Sequence, residues 1–436
     1  MPSETEPTQR SRYSEMSRDT RPNVVLLVLD TCRAKTFHRL LDDGKLPTTE
    51  RIATDAAVYR NASAVAPWTV PSHGAMFSGR YPTDHGASAD DPQFDPPTTP
   101  LAERLRQAGY ETVGLSANPW VTNHFGFTAG FDRFKTDVEY LWSGADTSGL
   151  GRLDSLGEKV DELRRRSSAA DTPATLVNVA YRKLLANRHD SGARRLTTDA
   201  VRWLDGRSSN EPFFLFCNFT EPHLEYDPPD EFAREELPEG IDLGAARSVE
   251  QDQWAYVTGE TALSDTEFEA LRALYRAEIR YLDSQLGRLF DRLAARDGLE
   301  ETAIVLTSDH GENIGDHGLM DHQYCLYETL LHVPLVVRYP PLFEPGTVDD
   351  LVETRRLYET IADVAGITDS EPETAPSLVG DAEPDAQAIA EYTSPQPSVE
   401  TLAEEYGPLD PEVRRYDRAL RSVRTARWKY IEGSDG

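Results

Sequence analysis

Five short runs of the chain are dominated by apolar residues: NVVLLVLD (23–30), ETVGLSAN (111–118), PFFLFCNF (212–219), AIVLTSD (303–309) and PLVVRYP (334–340). Runs of this length, rich in Val, Leu, Ile and Phe, predict buried strands of a parallel sheet with helices on both faces. Between them the apolar spacing lengthens to the helical period. TPLAERLRQAGY (99–110) and RRLTTDAVRWLDG (194–206) are amphipathic and stop at Gly109 and Gly206. DTEFEALRALYRAEIRYLDSQLGRLFDRLAAR (265–296) is long enough for a kinked helix or for two in succession. The alternation predicts an α/β fold, a doubly wound, mostly parallel sheet flanked by helices.

The pattern weakens elsewhere. Residues 140–193, with clusters of Arg, Ser and Asp, read as an insertion, a partly helical lid. Residues 224–262 form a Pro-rich, acidic excursion suited to walling a pocket. After 341 the composition shifts to Pro, Glu and Asp, and the closing ALRSVRTARWKYIEG turns strand-like. A small antiparallel C-terminal subdomain over 341–436 is therefore expected, beside a catalytic unit over 23–340 and a disordered polar N-terminus over 1–22.

Four of the five runs end in polar residues: Asp30-Thr31, Asn118, Asn218 with His223 soon after, and Asp309-His310. In a doubly wound sheet, sites assemble outside the carboxyl ends of the strands, where neighbouring loops converge. Asp is a poor strand residue. Capping of the next helix accounts for one such Asp, but less well for Asp30 and Asp309-His310 together. Those three side chains could hold one divalent cation. Ca²⁺ and Mg²⁺ prefer oxygen shells and an imidazole tilts the choice towards Mn²⁺ or Zn²⁺, so the metal stays open among the four. In PWTVPSHGAMFSG (67–79), Thr69 stands just ahead of Pro71, at a predicted helix start. It is either a routine cap or a reactive hydroxyl. A helix N-terminus suits a phosphate or sulfate group, and coordination to a cation would make the weakly nucleophilic hydroxyl competent near neutral pH.

In order, NVVLLVLD, PWTVPSHGAMFSGRYPTDHG, EPHLEYDPP and TSDHGENIGDHGLMDH followed by LYETLLHVPLVVR resemble the sulfatase branch of the alkaline phosphatase superfamily. SVRTARWKYI is similar to the family's closing strands. The resemblance implies a doubly wound sheet with one divalent metal at its carboxyl edge. It also implies a formylglycine nucleophile, made from the first residue of a Cys/Ser-x-Pro-Ser-Arg motif. That motif reads Thr69-Val70-Pro71-Ser72-His73 here, and threonine cannot be converted, so no formylglycine is expected. The superfamily also holds members with an unmodified threonine nucleophile, among them nucleotide pyrophosphatase/phosphodiesterases and lipoteichoic acid synthases.

What the resemblance implies is a metal-dependent ester hydrolase or transferase that cleaves a phosphate or phosphodiester through Thr69. The alternatives are a sulfuric ester hydrolase without formylglycine and a non-catalytic relative that binds anions or glycans. Asp30, Asp309, His310 and the Thr69 oxygen would hold the ion; the family's second Asp after the first strand is Thr31 here. His73 stands where the motif has arginine, and Asn118 stands in the segment where the family carries a substrate-contacting lysine; both are implied at the substrate. His223, and His322 at the family's usual lysine, would bind anionic oxygens or protonate the leaving oxygen, and His317 is a further catalytic candidate. His85 and His332 read as structural. The substrate would be a small anionic ester, phosphate or sulfate, free or carried on a glycan or lipid.

Charge narrows the surroundings. The 436 residues carry a formal net charge of -30, and the basic residues are 6 Lys against 39 Arg. Such a surface suits a protein dispersed in concentrated salt, a halophilic reading, with an ordinary acidic cytosolic protein as the alternative. There is no basic stripe for nucleic acid. Cys32, Cys217 and Cys325 are scattered, without disulfide or zinc-knuckle spacing. No run reaches transmembrane length and the first residues lack an apolar signal core, so a cytoplasmic location is expected.

Overall fold

The computed structural model describes residues 21–136, 189–296, 298–380 and 384–435. The expected disordered N-terminus, apart from Arg21 and Pro22, and nearly all of the 140–193 insertion lie outside the described residues. In chain order the strands are β1 (Asn23–Leu29), β2 (Ala57–Ser63), β3 (Glu111–Ser116), β4 (Arg133–Thr136), β5 (Phe213–Phe219) and β6 (Thr302–Ser308). There follow β7 (Asn313–Ile314), β8 (Met320–Asp321), β9 (His332–Arg338), β10 (Gly346–Glu353), β11 (Ala388–Tyr392), β12 (Leu420–Arg424) and β13 (Lys429–Gly433). An eight-stranded sheet has the order β10-β2-β9-β6-β1-β5-β3-β4. A three-stranded antiparallel sheet, β11-β12-β13, closes the chain, and β7 and β8 make a short ribbon.

β1 lies at the centre, parallel to β5 on one side and β6 on the other, with Val28 opposite both Asn218 and Thr307. Its side chains alternate between the two faces, as a strand's must. Val24, Leu26 and Val28 enter one apolar core; Val25, Leu27 and Leu29 enter the other. A strand with helices on both faces needs apolar residues at every position, which is why these runs show no polar alternation.

Seven helices carry most of this packing: α1 (Ala34–Asp42), α2 (Pro47–Ala53), α3 (Thr69–Ser78), α4 (Leu101–Gln107), α5 (Ala193–Gly206), α6 (Asp265–Arg296) and α7 (Leu357–Val364). The first core takes Val70 and Phe77 of α3, Leu105 of α4 and Ile361 of α7. The second takes Phe37 of α1, Trp203 of α5 and the apolar stripe of α6. α6 is one helix of 32 residues, which settles the choice left open by its length. Among the described residues no helix is long and apolar enough to cross a membrane.

One expected strand direction is corrected. PLVVRYP was read with the parallel strands, yet β9 runs antiparallel to both β6 and β2. The chain leaves β6 and returns beside it through short turns and the β7–β8 ribbon. An antiparallel neighbour needs no crossover helix, whereas a parallel one does. The sheet also continues past residue 340, because β10 pairs parallel with β2 at the edge. β1, β3, β5 and β6 all point the same way, so their following loops share one rim.

Candidate active site

α3 begins at Thr69, with Trp68 as the capping residue in extended conformation and no side-chain cap. Thr69 is thus the first helical residue, and its hydroxyl caps nothing. Pro71 costs the helix no bond, since the first turn's amides have no intrahelical acceptor. All ten residues of α3 are buried, and Gly79 ends it in the left-handed region at φ 73°. The Thr69 hydroxyl faces the rim. Its Oγ1 lies 3.4 Å from His310 Nε2 and accepts from Asn118 Nδ2 at 3.3 Å.

The other groups come from the strand ends. Asp30 leaves β1, Asn118 follows β3, and Asp309-His310 leaves β6. Asn118 Nδ2 also donates to Asp30 Oδ2 at 2.5 Å, while its Oδ1 accepts from the Trp120 amide at 2.7 Å, which fixes the amide's orientation. Asp309 Oδ1 accepts from the amides of Thr31 (3.3 Å) and His310 (2.9 Å). Thr31 reaches it from a left-handed conformation, φ 62°, uncommon for a β-branched residue. His310 donates Nδ1–H to the Gly311 carbonyl at 3.0 Å, which leaves the Nε2 lone pair towards Thr69 and the carboxylates. Gly311 is required where it stands: a Cβ there would sit 2.0 Å from the Thr329 oxygen.

This cluster is short of positive charge. Among the described residues, the ion-pair neighbours of Asp30 and Asp309 are only imidazoles: His310 Nε2 at 3.7 and 3.3 Å, and His73 Nδ1 at 3.5 Å from Asp309. Asp30 Oδ1 and Asp309 Oδ2 are buried and accept no hydrogen bond. Burial, reinforced by the Asp309 charge, lifts the Asp30 carboxyl to about 8, and burial raises Asp309 as well. Burial drives His310 well below the usual imidazole range, with the neighbouring His322 charge adding to it. Two unpartnered carboxylate oxygens and a free imidazole nitrogen, all within 4.8 Å of one another, fit a divalent cation.

A second group adjoins the first. Ligand atoms of His223, Asp321 and His322 also lie within 4.8 Å of one another. The His322 ring is 4.4 Å from that of His310 and 5.1 Å from that of His223. Its Nδ1 contacts Asp321 Oδ1 and lies 3.6 Å from Glu312 Oε1. Burial works against an imidazolium at His322, but the Asp321 and Glu312 carboxylates outweigh it and hold its pKa well above the usual value. His223 is half-buried, the most open member of the two groups.

Thr69, Asp30, Asp309, His310, Asn118, His223 and His322 are therefore brought together. His73 and His317 are placed differently. His73, for which the resemblance implies a substrate contact, is wholly buried one turn into α3. Its ring sits edge-on to Phe127 and Phe216, and Nδ1 donates to the Thr69 carbonyl at 3.0 Å. It backs the cluster from the core side. His317 enters neither group: it is exposed, at φ 58° in a turn, with its ring 4.1 Å from that of Tyr327. His85 donates to the Pro71 carbonyl at 3.1 Å and His332 to that of Arg60 at 2.7 Å, both structural. Asp321 is absent from the sequence-derived site. Its signal was the Asp-His pair repeated from Asp309-His310, obscured by Asp316-His317 and Asp84-His85.

The family model described as Sulfatase matches residues 22–367. Arylsulfatase K of Mus musculus is 23% identical over 455 residues, covering 99% of this chain and 75% of that protein. The Uncharacterized sulfatase YidJ of Escherichia coli (strain K12) is 25% identical, covering 82% of this chain and 70% of that protein. Among solved structures, the phosphonate monoester hydrolase of Agrobacterium radiobacter matches with a TM-score of 0.66 at 20% identity, covering 95% of this chain and 87% of that one. BT4656, solved with D-glucosamine-2-N,6-O-disulfate, gives a TM-score of 0.63 at 18% identity, covering 94% and 88%. These structural likenesses carry the fold.

Proposed function

The chain belongs to the sulfatase family, and from that premise we propose that it is a metal-dependent hydrolase of phosphate esters with Thr69 as its nucleophile. The observation that carries this reading is the Thr69 hydroxyl at a buried helix start, free of any capping role, 3.4 Å from His310 Nε2 and beside two carboxylates that each keep one buried oxygen without a hydrogen-bond donor. Asp30, Asp309, His310 and Thr69 would hold the cation, which when bound supplies positive charge that lowers the hydroxyl's proton affinity and offsets the ester's oxygens.

The chain's own groups do the rest. Asn118 orients the hydroxyl by donating to Oγ1 and to Asp30 at once. The free amides and dipole of the α3 N-terminus favour the anionic group set against them. The amides of Thr31 and His310 hold Asp309 in place. In the reaction the Thr69 O–P bond forms as the ester P–O bond breaks, and the alcohol departs with a proton. Water then attacks the phosphothreonine, releasing phosphate and restoring the hydroxyl. Positive charge at the departing oxygen falls to the side of His223 and His322.

A formylglycine hydrate can expel sulfate by using its second hydroxyl, and a threonine ester has no such group. It must be cleared by attack at the central atom, which suits phosphorus. The sulfuric-ester reading is favoured instead by the family itself and by the matches to arylsulfatase K. Turnover of p-nitrophenyl phosphate, bis-p-nitrophenyl phosphate and p-nitrophenyl sulfate, each with Zn²⁺ or Mn²⁺, separates the two. Thr69→Ala should lower turnover of the best substrate by at least about 10³-fold. Unchanged turnover in that variant would remove Thr69 from the role, and a preference for the sulfate would select the second reading.

A further inference from the structure

Among the described residues three large apolar side chains are exposed: Trp428 (77%), Tyr430 (63%) and Tyr327 (38%). They share one corner of the molecule. Trp428 and Tyr430 flank Lys429, whose Nζ donates to Glu328 Oε1 at 2.7 Å, and Glu328 directly follows Tyr327. Along the closing hairpin, successive side chains take opposite faces of the sheet. Ile431 of β13 packs against the first core, while Trp428, Tyr430 and Glu432 face outward.

The same hairpin carries an unused edge. β11 and β13 are the outer strands of the three-stranded sheet. β11 is bonded to the main unit: Ile389 N donates to Glu353 Oε1 at 2.7 Å, and Glu391 N to the Val65 carbonyl at 2.9 Å. Among the described residues β13 pairs with β12 alone. Thr425 N donates to the Trp428 carbonyl and Ser434 N to that of Ala419. Residues 428, 430, 432 and 434 therefore turn their backbone groups to β12, and Lys429, Ile431 and Gly433 turn theirs away from it. Unpaired amides and carbonyls on an edge are a template for another strand.

Charge selects that strand. Two copies at a net charge of -30 repel over most of their surfaces. Residues 414–429 are the exception, with six Arg and one Lys against one Asp. Arg418, Arg421 and Arg424 pair with Asp435, Glu391 and Glu328, which leaves a corner near neutrality rather than a stripe for nucleic acid. Along the strand the two ends differ in sign, Arg427 and Lys429 first, Glu432 and Asp435 last. An antiparallel copy sets the basic end of each against the acidic end of the other.

We infer that β13 pairs antiparallel with β13 of a second copy of this chain, joining the two three-stranded sheets across a two-fold axis. With Ile431 opposite itself, Lys429 pairs with Gly433 of the second copy, Tyr430 faces its Glu432, and Arg427 comes level with its Asp435. All three outward-turned residues then exchange backbone bonds. The two Tyr430 side chains become diagonal neighbours, about 7–8 Å apart and within reach of aromatic rings. Such an interface is self-complementary and closes at two copies. It is independent of the chemistry at Thr69.

Light scattering after size exclusion tests the pairing. In about 1 M KCl the protein should elute at twice the 48.7 kDa of one chain. The dimer fraction should fall towards about 0.1 M, as the screening length grows from about 3 to about 10 Å. Ile431→Pro removes one outward N–H, spares the bonds to β12 and should give a monomer with unchanged far-UV circular dichroism. Tyr430→Glu sets carboxylates opposite one another and should also give a monomer, whereas Tyr430→Arg, opposite Glu432, should stay a dimer. Tyr430 is exposed, so these two variants decide the matter if Ile431→Pro does not fold. An unmodified chain that is monomeric at about 100 µM, far above a dissociation constant of about 1 µM, would overturn the proposal. So would a dimer that survives both Ile431→Pro and Tyr430→Glu, or equal loss of the dimer in the two Tyr430 variants. Association that appears only with added heparin and weakens with salt would make the corner a polyanion surface and likewise overturn it.

Discussion

Glu236 and the Asp30–Asp309 pair are both withdrawn from water, in different company. Glu236 receives Lys45 Nζ at 2.7 Å, Arg276 Nε at 2.8 Å and Arg280 Nη1 at 3.1 Å. Burial pushes its carboxyl up, but the hydrogen bonds from Lys45 and Arg276 outweigh that and hold it below the usual range. Asp30 and Asp309 have no such cation, and burial lifts both. Removal from water opposes ionisation in each case. What differs is the company: Glu236 is balanced within the chain, whereas among the described residues the rim carboxylates face imidazoles and no Lys or Arg. The first arrangement serves stability; under the function proposed above, the second gives some of it up to hold a cation.

Substitutions should split along that line. The largest effect is expected at the rim: Asp309→Asn should lower ester turnover by about 10³-fold, roughly 4 kcal/mol of barrier. The same change should not lower the melting temperature of the metal-free protein, because it removes a buried charge that no Lys or Arg among the described residues balances. A clear drop in that melting temperature would erase the contrast with Glu236. Next, Zn²⁺ at about a hundred times its dissociation constant should stabilise the protein by about 2.7 kcal/mol, read as a shifted thermal transition. Asp30→Asn combined with Asp309→Asn should lose that gain.

Glu236→Gln should cost about 2 kcal/mol in denaturant unfolding, less than a wholly buried pair, because Lys45 and Arg276 keep contact with water. Its folded pKa is depressed, so its contribution is complete above the unfolded value of 4.5 and is lost as pH falls through the folded one. Glu236→Gln should accordingly flatten the loss of stability below that pH; an unaltered acid limb would show that the cluster adds nothing. The smallest effect is expected at Asn118, which touches both Asp30 and Thr69. Asn118→Ala should slow turnover by about 10-fold, with stability little changed.

The central strands were legible because burial on both faces leaves an unbroken apolar run, as in β1, β5 and β6. β2 (AVYRNAS) and β4 (RFKT) were not, since polar residues interrupt them, and the direction of β9 depends on how the chain returns to the sheet. Asp30, Asn118, Asp309 and His310 could be read from their place at strand ends, where topology does the positioning. The four Asp-His pairs show where local sequence stops being sufficient. Asp309-His310 ends a sheet strand, and Asp321-His322 sits on a ribbon folded back over the rim. Asp316-His317 lies in an exposed turn with Asp316 bound to Arg33 at 2.7 Å, and Asp84-His85 tucks beneath α3. Only the path of the chain between them separates a candidate ligand pair from a turn.

The central position of β1 bears on how the molecule is made. Asn23 meets its neighbour on β5 across 190 residues, and Thr31 meets Asp309 across 278. Loops of that size make the central pairings slow to close, and a chain emerging from the ribosome holds β1 unpaired on both edges until β5 and then β6 arrive. Among the described strands β1 comes first in the chain, yet both its edges are covered only once β6 is complete.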